Sequence, residues 1–419
     1  MAEKSSKAAV LRKVLQDSMW SVAGLVLMNA VAQFAIYPIW NRELGNERYG
    51  HILYLISAFN ILAISMGVSC NYARMKASVA GKTENRPFLR ILGITSAVLV
   101  PYCLAISLFA DSALETGLMI LLAVATMWRF YADVEYRLSL NYRQCFVYYL
   151  MISIGYGIGI GLFLWTKLWP LALLPGELLG LVRVYRTGTV LRRIEEPEPA
   201  IPAGQVMKMV MTLFATEVIS NLISNGDRVL LNLMVNGTAV TIYYQASLMG
   251  KTMTLVTTPL NSVLIGHLAR YKEGLSRKIM RFMTLGAIGT LVTATLVCTV
   301  GSHVLIRLLY PQNYELVRPY FLMANIAQVS FFVSAVAGTV LLRFCKVHYQ
   351  LYINLVYAGL FAGLCIPGLL LWQLEGLCIG MMLAGLLKLG YVIFLGYRSL
   401  GKEEKGDGDD AEGRTGEKL

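Results

Sequence analysis

Residues 20–40 read WSVAGLVLMNAVAQFAIYPIW, with tryptophan at both ends and no Asp, Glu, Lys or Arg between them. The charged turn Asn41-Arg42-Glu43-Leu44-Gly45-Asn46-Glu47-Arg48 follows at once. About 20 apolar residues in a helix cross the roughly 30 Å hydrocarbon core of a bilayer. Inside that core no water can satisfy the backbone, so such a run has to be helical. It is too long and too evenly apolar for a barrel strand, which alternates over about 10 residues. Indoles at the two ends suit the membrane–water interface.

The pattern repeats along the chain. Of 419 residues 56% are apolar and only 15% charged, where a soluble protein carries about a quarter; the mean hydropathy is +0.58. Spans are expected at about 19–40, 50–71, 89–110, 113–133, 146–166, 168–185, 209–235, 238–266, 280–300, 319–342, 350–372 and 375–397. The fold class is thus an all-α integral membrane protein with about twelve transmembrane helices. With both termini cytoplasmic, and with Arg90, Arg129, Arg183 and Arg281 at inner span ends counted with the adjoining loops, 29 of the 37 Lys and Arg fall on the cytoplasmic side and 5 opposite, leaving Arg228, Lys251 and Lys388 inside spans. That bias is the positive-inside rule, and it explains the net charge of +12 without a nucleic-acid partner. Residues 1–18 are polar and basic and no cleavable signal peptide is expected, the first span being its own insertion signal. All six tryptophans (20, 40, 128, 165, 169 and 372) lie near span ends, as interface anchors would.

The segment Arg192-Arg193-Ile194-Glu195-Glu196-Pro197-Glu198-Pro199 divides the spans six and six. The expected organisation is an N-terminal six-helix half (1–191), a cytoplasmic linker (192–205), a C-terminal six-helix half (206–400) and a disordered acidic tail (401–419). The halves echo each other weakly: a glycine turn at Gly45 precedes Tyr54, and one at Gly237 precedes Tyr243 and Tyr244. An even number of spans per half makes these parallel repeats.

An ionisable group inside a span points to function, because burying it in lipid is costly. Span seven holds Glu217, Asn221, Ser224, Asn225 and Arg228 at helical spacing on one face, with Asp227 about 100° away. Span eight holds Ser247, Lys251, Thr254 and Thr258; span one adds Asn29 and Gln33, and span two Asn60. Such faces imply a hydrated cavity, although neutral residues of these types also bond neighbouring helices. Lys388 can snorkel or pair, and Glu177 reads equally as packing or function.

Other motifs carry little. Met249-Gly250-Lys251-Thr252 ends like a P-loop but has Gln245 where the first glycine belongs. Gly155, Gly157, Gly159 and Gly161 form two overlapping GxxxG pairs for close helix packing. Asn236-Gly237-Thr238 is a sequon in a very short turn. The seven cysteines contain no CxxC pair, so buried small hydrophobes are expected, not a zinc site. His51, His267, His303 and His348 are scattered, and no Ser-His-Asp or paired-carboxylate arrangement can be drawn, so no enzyme, metal or cofactor is expected.

The six-plus-six layout, the glycine turn before span two, Asn225-Gly226-Asp227-Arg228-Val229-Leu230-Leu231, the Gly237…Ile242-Tyr243 run and Pro259 resemble the Wzx-type polysaccharide (O-antigen) flippases. These belong to the multidrug/oligosaccharidyl-lipid/polysaccharide exporter (MATE/MOP-like) superfamily. The resemblance covers about residues 10–400; it departs from the lipid II flippases, which usually have fourteen spans. It implies V-shaped halves with helices one, two, seven and eight lining a cavity, in a bacterial plasma (inner) membrane. The implied partner is an undecaprenyl-diphosphate-linked oligosaccharide, among membrane lipids, with a polysaccharide polymerase and chain-length regulator as further partners.

On this reading Arg228 and Lys251 contact the diphosphate, while Asn29, Gln33, Asn221, Asn225, Ser247, Thr254 and Thr258 bond sugar hydroxyls. Glu217 or Asp227 serves ion coupling; a proton gradient, a sodium gradient and the membrane potential all stay open. The rivals are a cation-coupled multidrug antiporter of the same superfamily and a membrane glycan polymerase or ligase. The latter needs a large extracytoplasmic loop for its chemistry, and the longest one expected here runs only from about Gly301 to Arg318.

Overall fold

A computed structural model describes residues 19–20, 22–81, 83–107, 112–192, 201–268, 276–344 and 348–413; the side chains of 254–268, 342–351 and 401–413 fall outside the description. All regular structure among the described residues is helical. The helices are α1 (22–44), α2 (46–80), α3 (Arg86–Ile106), α4 (Ala113–Ala132), α5 (Val134–Leu138), α6 (Tyr142–Thr166) and α7 (Leu174–Thr187). They continue as α8 (Ala203–Met234), α9 (Gly237–Leu268), α10 (Arg277–Leu309), α11 (Phe321–Phe344), α12 (348–371) and α13 (374–413).

Eight helical stretches among the described residues are long and apolar enough to cross a bilayer, so the chain is a multi-pass membrane protein. Two of them, Val22–Ala80 and Tyr352–Leu400, run 59 and 49 residues, about twice what one crossing needs. Both break where the apolar pattern breaks. Gly45 turns the chain with φ 78° and ψ 172°, a conformation open to glycine and strained for residues with a Cβ. Trp372 and Gln373 depart from helical geometry between α12 and α13. The sixth expected span is shorter than read: α7 has 14 residues, preceded by a 3-10 turn over Trp169–Ala172.

The other glycine turn is of a different kind. Asn236 caps α9, its Oδ1 accepting the Ala239 N–H at 2.8 Å, a common way to satisfy a first-turn donor. Gly237 has no positive φ, so the echo between the halves is one of sequence and not of backbone.

The chain divides into two compact units, Met1–Asn232 and Leu233–Leu419, which leaves all but the last two residues of α8 with the first. In the first unit, α2 lies against α4 at Gly67, where a Cβ would come within 2.5 Å of the Met127 carbonyl. α6 meets α7 through Gly155 and the turn before α7 through Gly159: a Cβ on Gly155 would sit 2.5 Å from Gly176 Cα, and one on Gly159 would strike the Ala172 carbonyl. Gly157 and Gly161 face open space. One of the two GxxxG pairs therefore packs and the other does not.

The tryptophans also divide. Trp20, Trp165 and Trp372 are exposed, but Trp40 and Trp169 are buried. These two pack edge to face at 5.8 Å, with Tyr37 stacked on Trp40 at 5.3 Å. That corrects their reading as interface anchors: a core aromatic cluster holds the end of α1 against the turn before α7.

In the second unit, Gly250 of α9 faces Asn325 and Gln328 of α11, Gly385 of α13 faces Ala327 and Ser330, and Gly368 of α12 abuts Gly376 of α13. Six described cysteines (70, 103, 145, 298, 365 and 378) are buried and outside any disulfide, as expected of small core residues. No metal-ligating cluster occurs among the described residues.

Candidate functional site

The polar stripe of α8 has a partner face on α2, within the first unit. Arg228 Nη1 donates to Ser57 Oγ at 3.1 Å. Two turns earlier on α8, Asn221 Nδ2 donates to Ser65 Oγ at 3.0 Å. As the α8 number falls the α2 number rises, so the two helices run antiparallel. The spacing of seven on one and eight on the other is two turns on each.

Along α8 the amides brace the stripe: Asn221 Nδ2 also reaches the Glu217 carbonyl at 3.0 Å, and Asn225 Nδ2 reaches the Asn221 carbonyl at 3.1 Å. Arg228 is half-buried. Asp227 is buried, with Oδ1 accepting the Arg228 backbone N–H at 2.8 Å. The Glu217 carboxylate is half-buried and makes no hydrogen bond or ion pair with a described residue.

Two neutral groups of the same unit have capacity to spare. Asn60 of α2, three residues from Ser57, keeps its Oδ1 buried without a partner. Gln33, half-buried on α1, bonds no described side chain or backbone group. It lies inside a π-helical turn, Ala32–Ile36. Such turns leave wider backbone spacing than an α-helix and are frequent at functional sites. Asn29, one turn earlier, is satisfied locally, donating to the Leu25 carbonyl at 2.8 Å.

Of the residues expected on α9, Ser247 is buried and donates to the Tyr244 carbonyl at 3.2 Å. Lys251 is half-buried, with Nζ 5.6 Å from the Tyr243 ring centroid. The side chains of Thr254, Thr258 and Pro259 lie outside the description. Lys388 of α13 neither snorkels nor pairs with a carboxylate among the described residues. It is buried, its Nζ 3.9 Å from the centroid of Phe331 and 4.5 Å from that of Tyr357, a cation–π arrangement strengthened by desolvation.

Arg129 corrects the sequence reading, which counted it with a cytoplasmic loop. It is buried in α4 and forms an ion pair with Glu177 of α7. Tyr156 of α6 donates to the other carboxylate oxygen at 2.8 Å, and Tyr148 OH donates to the Arg129 carbonyl at 3.2 Å. Every strong group in this cluster has a partner, so it ties α4, α6 and α7 together. Two opposite charges in neighbouring short apolar runs were the signal that could have joined them.

No family model matches the chain, and no curated protein matches it. Its fold does match solved structures. A Vibrio cholerae MATE transporter, VcmN in its bent form, is 14% identical, with 95% of this chain and 99% of that one covered at a TM-score of 0.59. A lipid II flippase, MurJ in an inward closed conformation, is 13% identical, with 92% and 87% covered at 0.62. A MOP superfamily transporter from Pyrococcus furiosus, described as having a binding pocket of reversed polarity, is 12% identical, with 92% and 94% covered at 0.58. The chain thus has the exporter fold shared by MATE transporters and MurJ, over nearly its whole length.

Proposed function

We propose that the chain is a flippase, moving an undecaprenyl-diphosphate-linked oligosaccharide from the inner to the outer leaflet of a bacterial plasma membrane by alternating access. The observation that carries this reading is the composition of the α2–α8 face. One guanidinium, Arg228, sits at the end of a row of neutral amides and hydroxyls, and Asn60 and Gln33 retain unused hydrogen-bonding capacity. A guanidinium grips the diphosphate through charge-assisted bonds, and the neutral groups exchange bonds with sugar hydroxyls. The exporter fold, shared with a lipid II flippase, supports the same class of cargo. Lys251 and Lys388 supply further positive charge in the second unit, which suits an anionic lipid carrier.

A second reading rests on Glu217, a half-buried carboxylate without a described partner. It suits a cation-coupled drug antiporter, and the same group serves as the coupling residue of the flippase. Deleting the gene in its native host separates the two. A flippase deletion leaves lipid-linked repeat units inside and removes surface glycan, with drug sensitivity unchanged. Sensitivity to cationic drugs with intact surface glycan would instead establish the antiporter.

A further inference from the structure

We propose that a cavity at the start of α3 binds the headgroup of an anionic glycerophospholipid. The cavity measures about 760 Å³ and is lined by Glu84, Arg86, Leu89, Arg90, Gly93 and Trp128, among others. It lies at the end of α3 that the charge bias assigns to the cytoplasm, where anionic lipids concentrate.

The geometry is that of a lipid and not of a free ion. Arg86 and Arg90 are one turn apart on α3, and Ile94 and Val98 continue the row at the same spacing of four. The first two are exposed cations, the next two aliphatic side chains 53% and 54% exposed. Charge at one end and bare hydrocarbon below it on one helix face matches a phosphate with its acyl chain. Arg90 makes no hydrogen bond or ion pair with any described residue, so its donors are available to a ligand.

Gly93 leaves the floor open, since a Cβ there would meet nothing within 4 Å. The Trp128 indole forms one wall, held by its bond to Ser96 Oγ at 3.0 Å. The site is also braced from beneath. Buried Asn85 donates to the carbonyls of Thr189 and Arg192 at 2.9 and 3.1 Å, fixing the start of α3 against the chain that follows α7. Glu84 on the rim carries the opposite charge to the arginines. A phosphate therefore seats between Arg86 and Arg90, and the headgroup hydroxyls of a lipid such as phosphatidylglycerol donate to Glu84.

Native mass spectrometry of the purified full-length chain, supplied with equal amounts of phosphatidylglycerol and phosphatidylcholine, tests this. The wild type should retain phosphatidylglycerol preferentially, and the variant Arg86→Gln with Arg90→Gln should lose about 30-fold in retention, at about 1 kcal/mol per arginine. Gly93→Phe, which fills the cavity without changing charge, should lose it as well. Equal retention of both lipids, retention unchanged in the arginine variant, or release of bound lipid by excess inorganic phosphate would overturn the proposal.

Discussion

Arg228 and Arg129 show how differently one residue type is used in a single membrane unit. Arg129 is fully committed, with Glu177 answering its charge and Tyr156 donating to the other oxygen of that carboxylate, all of them buried. Removing one member of such a pair strands the other, so Arg129→Ala or Glu177→Ala should destabilise the chain by about 3–5 kcal/mol. Replacing both together by Met and Leu should cost much less. Thermal unfolding in detergent, comparing the two singles with the double, reads this directly, and equal losses in all three would refute the pairing argument. Arg228 is half-buried and bonded to a serine hydroxyl. Arg228→Ala should therefore leave the amount of folded protein near wild type while sharply reducing surface glycan in a complemented deletion strain.

The sequence made Arg228 conspicuous because it lies deep in an apolar run beside amides. It hid Arg129, whose position near the end of its run equally suits a snorkelling side chain. The π-turn under Gln33 was illegible for another reason. It depends on which carbonyl each N–H chooses, and a regular apolar run does not encode that choice visibly.

At the level of the element, packing turns on which glycines meet a neighbour. Spacing identified the GxxxG pairs of α6, but both pairs have the same spacing, and only the position of α7 distinguishes them. Gly155→Val should strike Gly176 and cost about 1–3 kcal/mol by overpacking, while Gly157→Val, two residues on, should be neutral. Melting temperatures of the two variants side by side decide the point; comparable losses would mean that α6 presents another face to α7. Gly45 is fixed by backbone and not by packing, since no atom lies within 4 Å of a Cβ there. Gly45→Ala meets only the positive φ, a cost on the order of 1–3 kcal/mol. The apolar runs on both sides of Gly45 made the break readable, as the charged turn did. The break at Trp372 and Gln373 was legible chiefly because 350–397 is too long for one crossing.

Across the whole chain, length and hydrophobicity were enough to place the helices, since lipid leaves a polypeptide few options. The exporter fold shared with MATE transporters and MurJ was legible from layout at an identity where no family model matches. The polar faces that bring α8 to α2 were legible too, but the membership of α8 in one compact unit with α2 was not, because the charged, proline-rich segment before α8 marks the more conspicuous boundary. The charge bias makes an orientation prediction: a cysteine placed at Thr166 should react with impermeant reagents from outside intact cells, and one at Gly188 only after permeabilisation. Reversal of that pattern would overturn the cytoplasmic placement of both termini.

The flippase reading rests in the end on movement of a lipid-linked glycan. Proteoliposomes loaded on the inner leaflet with a labelled polyprenyl-diphosphate oligosaccharide can be probed from outside with a glycosidase that cannot enter. The wild-type chain should expose the glycan well above the rate in empty liposomes, and Arg228→Ala, reconstituted equally, should slow it about 30-fold, the kinetic equivalent of losing a charge-assisted bond of ~2 kcal/mol. A wild-type rate no faster than protein-free liposomes would contradict the flippase, and an unchanged rate in Arg228→Ala would contradict the site on α8.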